Sequence, residues 1–180
     1  MPEIQIRPAI AADIPFLVSL DHHNTSDHAW QMEFHPEREQ GQIMVNFRQV
    51  RLPRPVRFGY PRPTNALAED WEERSGVLVA LLGDRPVGYA SLMLDRIPYT
   101  TWVSDLVVDR NYRRQGIGSA LVLAGSEWAQ HMESHNLGLE MQPRKDPAIQ
   151  LAYKMGFEFC GYNHFYYPNH EIGIFFGKSL

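Results

Sequence analysis

The 180 residues carry a net charge of −4, a pI near 6.0 and 44% apolar side chains, enough for one self-folding domain and no electrostatic case for nucleic acid or membrane partners. Cys160 is the only cysteine, which excludes an intrachain disulfide and suits a reducing compartment. No apolar run approaches the ~20 residues of a membrane span, so the expectation is a cytoplasmic protein.

In chain order, residues 4–7 alternate as a short strand does, and 11–20 read as an amphipathic helix. Residues 21–39 are polar, rich in histidine and aromatics, and read as partly helical. From Ile43 to Phe58 apolar and basic residues alternate, as in a half-buried strand or hairpin. The prolines of Leu52-Pro-Arg-Pro and Tyr60-Pro-Arg-Pro mark an edge or a loop, because proline brings no ladder donor. A short helix is expected over 65–73 with Asn65 as its cap. Apolar runs at 77–82 and 87–94 flank Gly83-Asp84-Arg85-Pro86 and predict a hairpin. Residues 102–108 form the next strand, and Ile117, Leu121, Ala124 and Trp128 mark one face of a helix ending near Met132. A strand over 137–141 precedes a helix that Asp146-Pro147 caps and Gly156 ends. Segments 159–166 and 172–176 close the chain as a strand pair. This order implies an α/β (α+β) domain with a mixed, mostly antiparallel sheet and helices on both faces.

Between Val103 and Leu121 an apolar strand runs into a basic, glycine-bearing turn and then directly into a helix. Gly116 and Gly118 lack a Cβ, so the backbone can bend sharply and a ligand can approach its N–H groups. The helix start offers unpaired donors and the positive end of the dipole, which favour a phosphate, and Arg113 and Arg114 add charge. A plain strand-to-helix turn has the same appearance. A dehydrogenase reading fails, because the glycines lack dinucleotide spacing and come too late in the chain.

The segment Arg113-x-x-Gly116-x-Gly118 resembles the acyl-CoA pyrophosphate loop of the GNAT superfamily of N-acyltransferases. Leu139-Glu140-Met141, then Pro147-Ala-Ile-Gln-Leu-Ala-Tyr-Lys-Met-Gly-Phe157, are similar to that family's next strand and CoA-side helix, in its order and spacing. The resemblance is specific from about Val77 onward and topological before it. Phe159-Cys-Gly-Tyr162 and Glu171-Ile-Gly-Ile-Phe-Phe176 are similar to its streptothricin-acetyltransferase branch.

The resemblance implies one N-acetyltransferase domain over 1–180, with 1–75 on the acceptor side and 76–180 binding acyl-CoA. It implies acetyl-CoA as co-substrate and direct transfer to a primary amine of a small molecule or peptide, and it leaves a homodimer open. The pantetheine arm would lie along Leu106, Val107 and Val108, where strands splay. The pyrophosphate would lie on Arg113, Arg114, Gln115, Gly116, Ile117, Gly118, Ser119 and Ala120.

Such a transfer needs a neutral amine, a donor for the oxyanion and a proton for the thiolate. Glu140 is the first choice of base. Its spacing from Gly156 matches the glutamate of the family's peptide-amine acetyltransferases, and Leu139 and Met141 should leave it partly desolvated, which raises a carboxylate's pKa. A salt-bridged strand carboxylate is the competing reading. Asp105 is second; relatives commonly carry Glu one position earlier, at Ser104, and adjacent strand residues face opposite ways. The family's acid is often a tyrosine four residues before the glycine of Gly156-Phe157, and that position is Ala152. Tyr153 lies ~100° further round the helix and reads as a packing residue, so Tyr162, Tyr166 and Tyr167 remain as candidate donors, beside a relay through water and thiolate departure without a dedicated acid. This gap favours a non-catalytic acyl-CoA sensor on the same fold; Glu140 and Asp105 argue against it.

His22, His23, His28 and His35 match no zinc spacing and read as pocket-lining or surface groups. Trp30, Phe34 and Tyr60 read as core, or as a wall for a substrate. Arg48, Arg51, Arg54, Arg57 and Arg62 read as a solvated strand face, with steering of an acidic acceptor or a CoA phosphate as the alternative. Cys160 reads as a small buried hydrophobe.

Overall fold

Every residue of the strand Gly76–Leu82 is apolar or glycine, and the strand is buried on both sides, as one covered on two faces must be. In the computed structural model, which describes residues 3–37 and 41–180, this strand is β4. It lies in a seven-stranded sheet with β1 (Ile4–Pro8), β5 (Arg85–Ile97), β6 (Thr100–Val108), β7 (Asn136–Met141), β8 (Glu158–Asn163) and β9 (Gly173–Ser179). The order is β1-β4-β5-β6-β7-β9-β8, and only β6 and β7 pair in parallel. Period-two alternation sorts the core. Val77, Val79 and Leu81 meet Ile14, Leu17 and Leu67 of α1 (Ile14–Ser19) and α2 (Ala66–Asp70). Leu78 and Ala80 belong with Ile117, Leu121 and Ile149 of α3 (Ile117–His131) and α4 (Asp146–Lys154). The expected mixed sheet with helices on both faces is therefore present.

The N-terminal half departs from expectation. Residues expected to be partly helical form β2 (Asn24–Glu37), paired in a two-stranded ribbon with β3 (Gln42–Phe58); positions 38 and 39 of that reading lie outside the described residues. Trp30, Met32 and Phe34 alternate with Gln31 and Glu33, a period of two that suits a strand. Leu52-Pro-Arg-Pro does not end β3. Register passes from Ser26↔Val56 to His28↔Arg51, so residues 52–55 bulge opposite Asp27, where no ladder donor is needed. The ribbon docks through Trp30, whose Nε1 donates to Asp146 (2.9 Å), and through Phe47 against Phe159 and Tyr162. Asn65 occupies the N-cap position of α2, but its side chain donates to Glu69 (2.6 Å) and caps nothing.

A fork opens in the middle of the sheet. β6 and β7 pair only from Thr100↔Asn136 to Val103↔Leu139. Beyond that, β7 stays with β9 as far as Met141↔Ile174, and β6 stays with β5 as far as Gly88↔Val108.

Candidate active site

Within a strand, the N–H and C=O of one residue leave from the same edge, and alternate residues share that edge. Once β7 has parted, Ser104, Leu106 and Val108 turn their backbone groups into the fork. Backbone oxygens that lose a ladder must be met elsewhere, and here each takes a cation. Arg62 Nη1 donates to Ser104 O (3.0 Å), Lys145 Nζ to Leu106 O (3.4 Å) and Arg113 Nε to Val108 O (2.8 Å).

One side of the fork is acidic. The buried Asp105 carboxylate accepts from Arg74 Nη1 (2.6 Å), Arg62 Nη1 (3.4 Å) and the Tyr60 hydroxyl. Burial pushes its pKa up, but the two arginines and Tyr60 outweigh that and hold it below the usual value. Burial, together with the Asp105 charge, drives the Tyr60 hydroxyl well above its ordinary range. Glu140, one residue past the last β6–β7 pair, is buried and bonded to Arg62 Nη2 and the Tyr166 hydroxyl. The burial expected from Leu139 and Met141 is present, and so is the salt bridge of the competing reading. Arg62 thus bridges both carboxylates, with its guanidinium 5.1 Å from the Tyr167 ring centre.

Sequence reasoning placed Arg62 on a solvated face with Arg48, Arg51, Arg54 and Arg57. Those four are exposed, but the Tyr60-Pro-Arg-Pro turn leaves the ribbon and folds Arg62 over the fork. Gln142 was also missed. It is buried, donates to Glu171, and its Oε1 has no hydrogen-bond partner among the described residues. Tyr60, Arg62, Glu140, Gln142, Lys145 and Tyr167 help line a cavity of about 30 Å³, room for one or two waters.

The other side is a groove of about 400 Å³ bounded by β6, the turn before α3, and α4. Arg114 (φ 65°) and Gly116 (φ 86°) both take left-handed backbone, and at Gly116, the N-cap of α3, the absence of a Cβ makes this free of strain. Of the residues expected to bind cofactor, Leu106, Val108, Arg113, Arg114, Gly116, Ile117, Gly118 and Ser119 line the groove. Three stand apart. Gln115 is exposed and donates to Asn111 O (3.3 Å), Ala120 lies outside the groove wall, and the Val107 side chain packs on the opposite face with Tyr89. Arg113 also acts differently from expectation. Its guanidinium ties Val108 O to Asp21 O (2.8 Å for each bond), so it clamps backbone as well as supplying charge.

Lys145, and not Asp146, is the N-cap of α4; Asp146 instead accepts from Trp30, Gln49 and Gln150 and holds the ribbon down. Ala152 is fully buried in the core. Tyr153 sets its ring against Trp30 and Phe176, at 6.2 and 5.3 Å between centres. Tyr153→Phe should therefore change turnover less than roughly threefold, far below the effect of losing a general acid. A loss above a hundredfold in steady-state assays, with CoA binding retained, would make Tyr153 the acid.

Cys160 is exposed rather than buried, because β8 is an edge strand. His22 is buried, with Nδ1 on Leu20 O (2.7 Å) and Nε2 on the Tyr89 hydroxyl (3.1 Å), and burial lowers its pKa.

The model of the Acetyltransferase (GNAT) family matches residues 44–157, from the ribbon to the end of α4. A streptothricin acetyltransferase of Streptomyces lavendulae is 32% identical over 101 residues, 53% of this chain and 50% of that protein, so the match spans about half the relative's length. Nourseothricin acetyltransferase shares the fold with a TM-score of 0.81 at 21% identity, covering 98% of both chains. So does a Bacillus anthracis str. Ames protein assigned as a streptothricin acetyltransferase and solved with acetyl coenzyme A, at a TM-score of 0.77 and 18% identity over 99% of this chain and 100% of that one. The family match takes in more than half of the chain and includes the fork, the turn before α3 and the groove-lining helix α4, so the chain belongs to the acetyltransferase (GNAT) family.

Proposed function

We propose that the protein is an N-acetyltransferase that uses acetyl-CoA and a primary amine on a small, cationic acceptor of the streptothricin class. The observation that carries this reading is the fork, which sets a phosphate-suited groove next to two buried carboxylates along the opened edge of β6. The donor set suits a CoA ester. The first turn of α3 opens on the groove beside Arg114 and Lys154, matching a diphosphate, and Leu106, Ala148 and Leu151 offer an apolar wall to the arm.

When bound, acetyl-CoA supplies an acyl group already activated as a thioester. The N–H groups of Leu106 and Val108 orient the arm and donate to the acyl oxygen, which needs no particular side chain. At the acid end Glu140 lines the cavity beside Arg62, so an incoming ammonium meets a carboxylate there. Gln142 Oε1 then accepts one amine hydrogen, and Glu140 removes a proton to leave the nitrogen nucleophilic. Asp105 is a positioning residue that holds Arg62, Arg74 and Tyr60 around the entrance.

A ligand of the native state raises the melting temperature by mass action, so acetyl-CoA should raise it and streptothricin should be acetylated with release of CoA thiol. Gly118→Val should abolish the shift and leave the fold intact, because the new Cβ meets Leu151 Cδ2 at 3.4 Å, an ordinary contact, and the branch enters the groove. An unmoved wild-type melting curve at saturating acetyl-CoA would sink the assignment.

A further inference from the structure

Arg62, Lys145 and Arg113 stand in a row along the opened edge of β6, one on each alternate carbonyl and so roughly 7 Å apart. Two of them are guanidiniums, which keep their proton at any working pH; only the lysine can give one up. Lys145 is also the middle member, between the carboxylates at Arg62 and the turn at Arg113. It lines both the small cavity and the groove. An acyl donor in the groove and an amine at Glu140 therefore meet beside its ammonium.

On this geometry we propose that Lys145 is the general acid, protonating the CoA sulfur as it departs; the inference rests on the acetyltransferase reading above. The rest of the fork leaves this role to Lys145. α4 turns Ala152 into the core and Tyr153 onto Trp30 and Phe176. Burial holds the Tyr60 and Tyr167 hydroxyls far above their ordinary range, Tyr166 is bonded to Glu140, and Tyr162 packs against Phe47 and His164, outside the cavity and the groove. An ammonium has three donors, and the one directed at Leu106 O is long, so the contact can yield to a nearer acceptor.

The groups around Lys145 tune it in the useful direction. Burial is the largest influence and pushes it down; Asp105 on β6 pulls it up, and Arg113 before α3 and Arg62 after β3 push it down again, to about 8. The Tyr60 ring lies 5.6 Å beneath the ammonium, with buried His22 behind that ring. In the reaction, the amine nitrogen bonds to the acyl carbon while the carbon–sulfur bond breaks with its electron pair on sulfur. Glu140, having released the ammonium's first proton to solvent, takes the second as the amide forms, and the Lys145 proton passes to sulfur, giving amide and thiol. Solvent then returns a proton to Lys145 and takes one from Glu140.

Lys145→Met removes the proton donor, and Lys145→Arg keeps the charge and the reach to Leu106 O but holds its proton. Both should bind desulfo-CoA like wild type and lose roughly 10²-fold in kcat, the low end for general acids because a thiolate leaves readily. The wild-type rate should fall as pH rises through about 8, where the acid deprotonates, and this limb should vanish in both variants. A readout free of turnover is thiolate absorbance when CoA binds the resting enzyme. It should grow with wild type, where the ammonium stabilises the bound thiolate, and be absent with Lys145→Met.

Wild-type kcat, basic limb and thiolate signal in Lys145→Met would overturn the inference. Weakened desulfo-CoA binding with the basic limb retained would also overturn it, assigning Lys145 to binding alone. Should Lys145→Met not fold, Lys145→Arg carries the same test. A wild-type protein that binds no CoA would instead remove the acetyltransferase reading itself.

Discussion

Glu140→Gln lowers turnover by roughly 10²–10⁴ and leaves acetyl-CoA affinity nearly unchanged, the expected result if Glu140 is the general base. The carboxamide keeps the shape of the side chain; its oxygen can still accept from Arg62 and its nitrogen can donate to the Tyr166 hydroxyl oxygen, so the fork should hold its form. What it loses is the capacity to take the amine proton. The groove adjoins the cavity at Leu106 and Lys145 but is not lined by Glu140, which is why binding of the CoA ester should be insensitive. The measurement is kcat/KM for the acceptor beside a calorimetric Kd for CoA. Activity that survives in Glu140→Gln but collapses in a folded Asp105→Asn would exchange the two roles and make Asp105 the base.

Asp105→Asn should cost about 3–5 kcal/mol of stability, the usual penalty for removing one partner from a buried ion pair. Arg74, nearly buried itself, would keep only Asp70 and Ser91, and Arg62 would keep Glu140 and Ser104 O. Asparagine at this position also has a poorer match to two cations and the Tyr60 hydroxyl. The pH dependence has a definite sign. The folded state holds Asp105 below its ordinary 3.8, so its contribution is fully present above 3.8 and disappears as pH falls through the lower folded value. Wild type should therefore lose stability in acid more steeply than Asp105→Asn below about pH 4, measured by urea midpoints across the acid range. Equal midpoints for the two proteins at neutral pH would show that the network contributes nothing.

The sequence alone determined the parts of this protein that rest on local pattern. β4 to β7 and α3 follow from apolar runs and from a stripe of period 3.6, and α4 from its end signals at Asp146-Pro147 and Gly156; these signals need no partner to be read. The turn before α3 was legible for the same reason, since Arg113, Gly116 and Gly118 are neighbours in the chain and their chemistry is backbone chemistry. The ribbon was only half legible. The alternation at Trp30, Met32 and Phe34 was there, but histidines and acids blurred it, and two prolines sat in a bulge whose position only the partner strand defines.

The acid end of the fork could not be read at all as an arrangement. Glu140 and Asp105 were visible as residue types, but Arg62 reaches them across 78 and 43 positions, and no periodicity encodes a contact of that span. The same holds for Lys145, which meets Leu106 O across 39 positions. Its place between the cavity and the groove exists only because β6 and β7 part after Val103. Where strands separate, backbone carbonyls lose their ladder and recruit cations from distant segments. That recruitment, decided by tertiary structure, turns a common fold into a fork with two buried carboxylates at one end and a lysine ammonium in the middle.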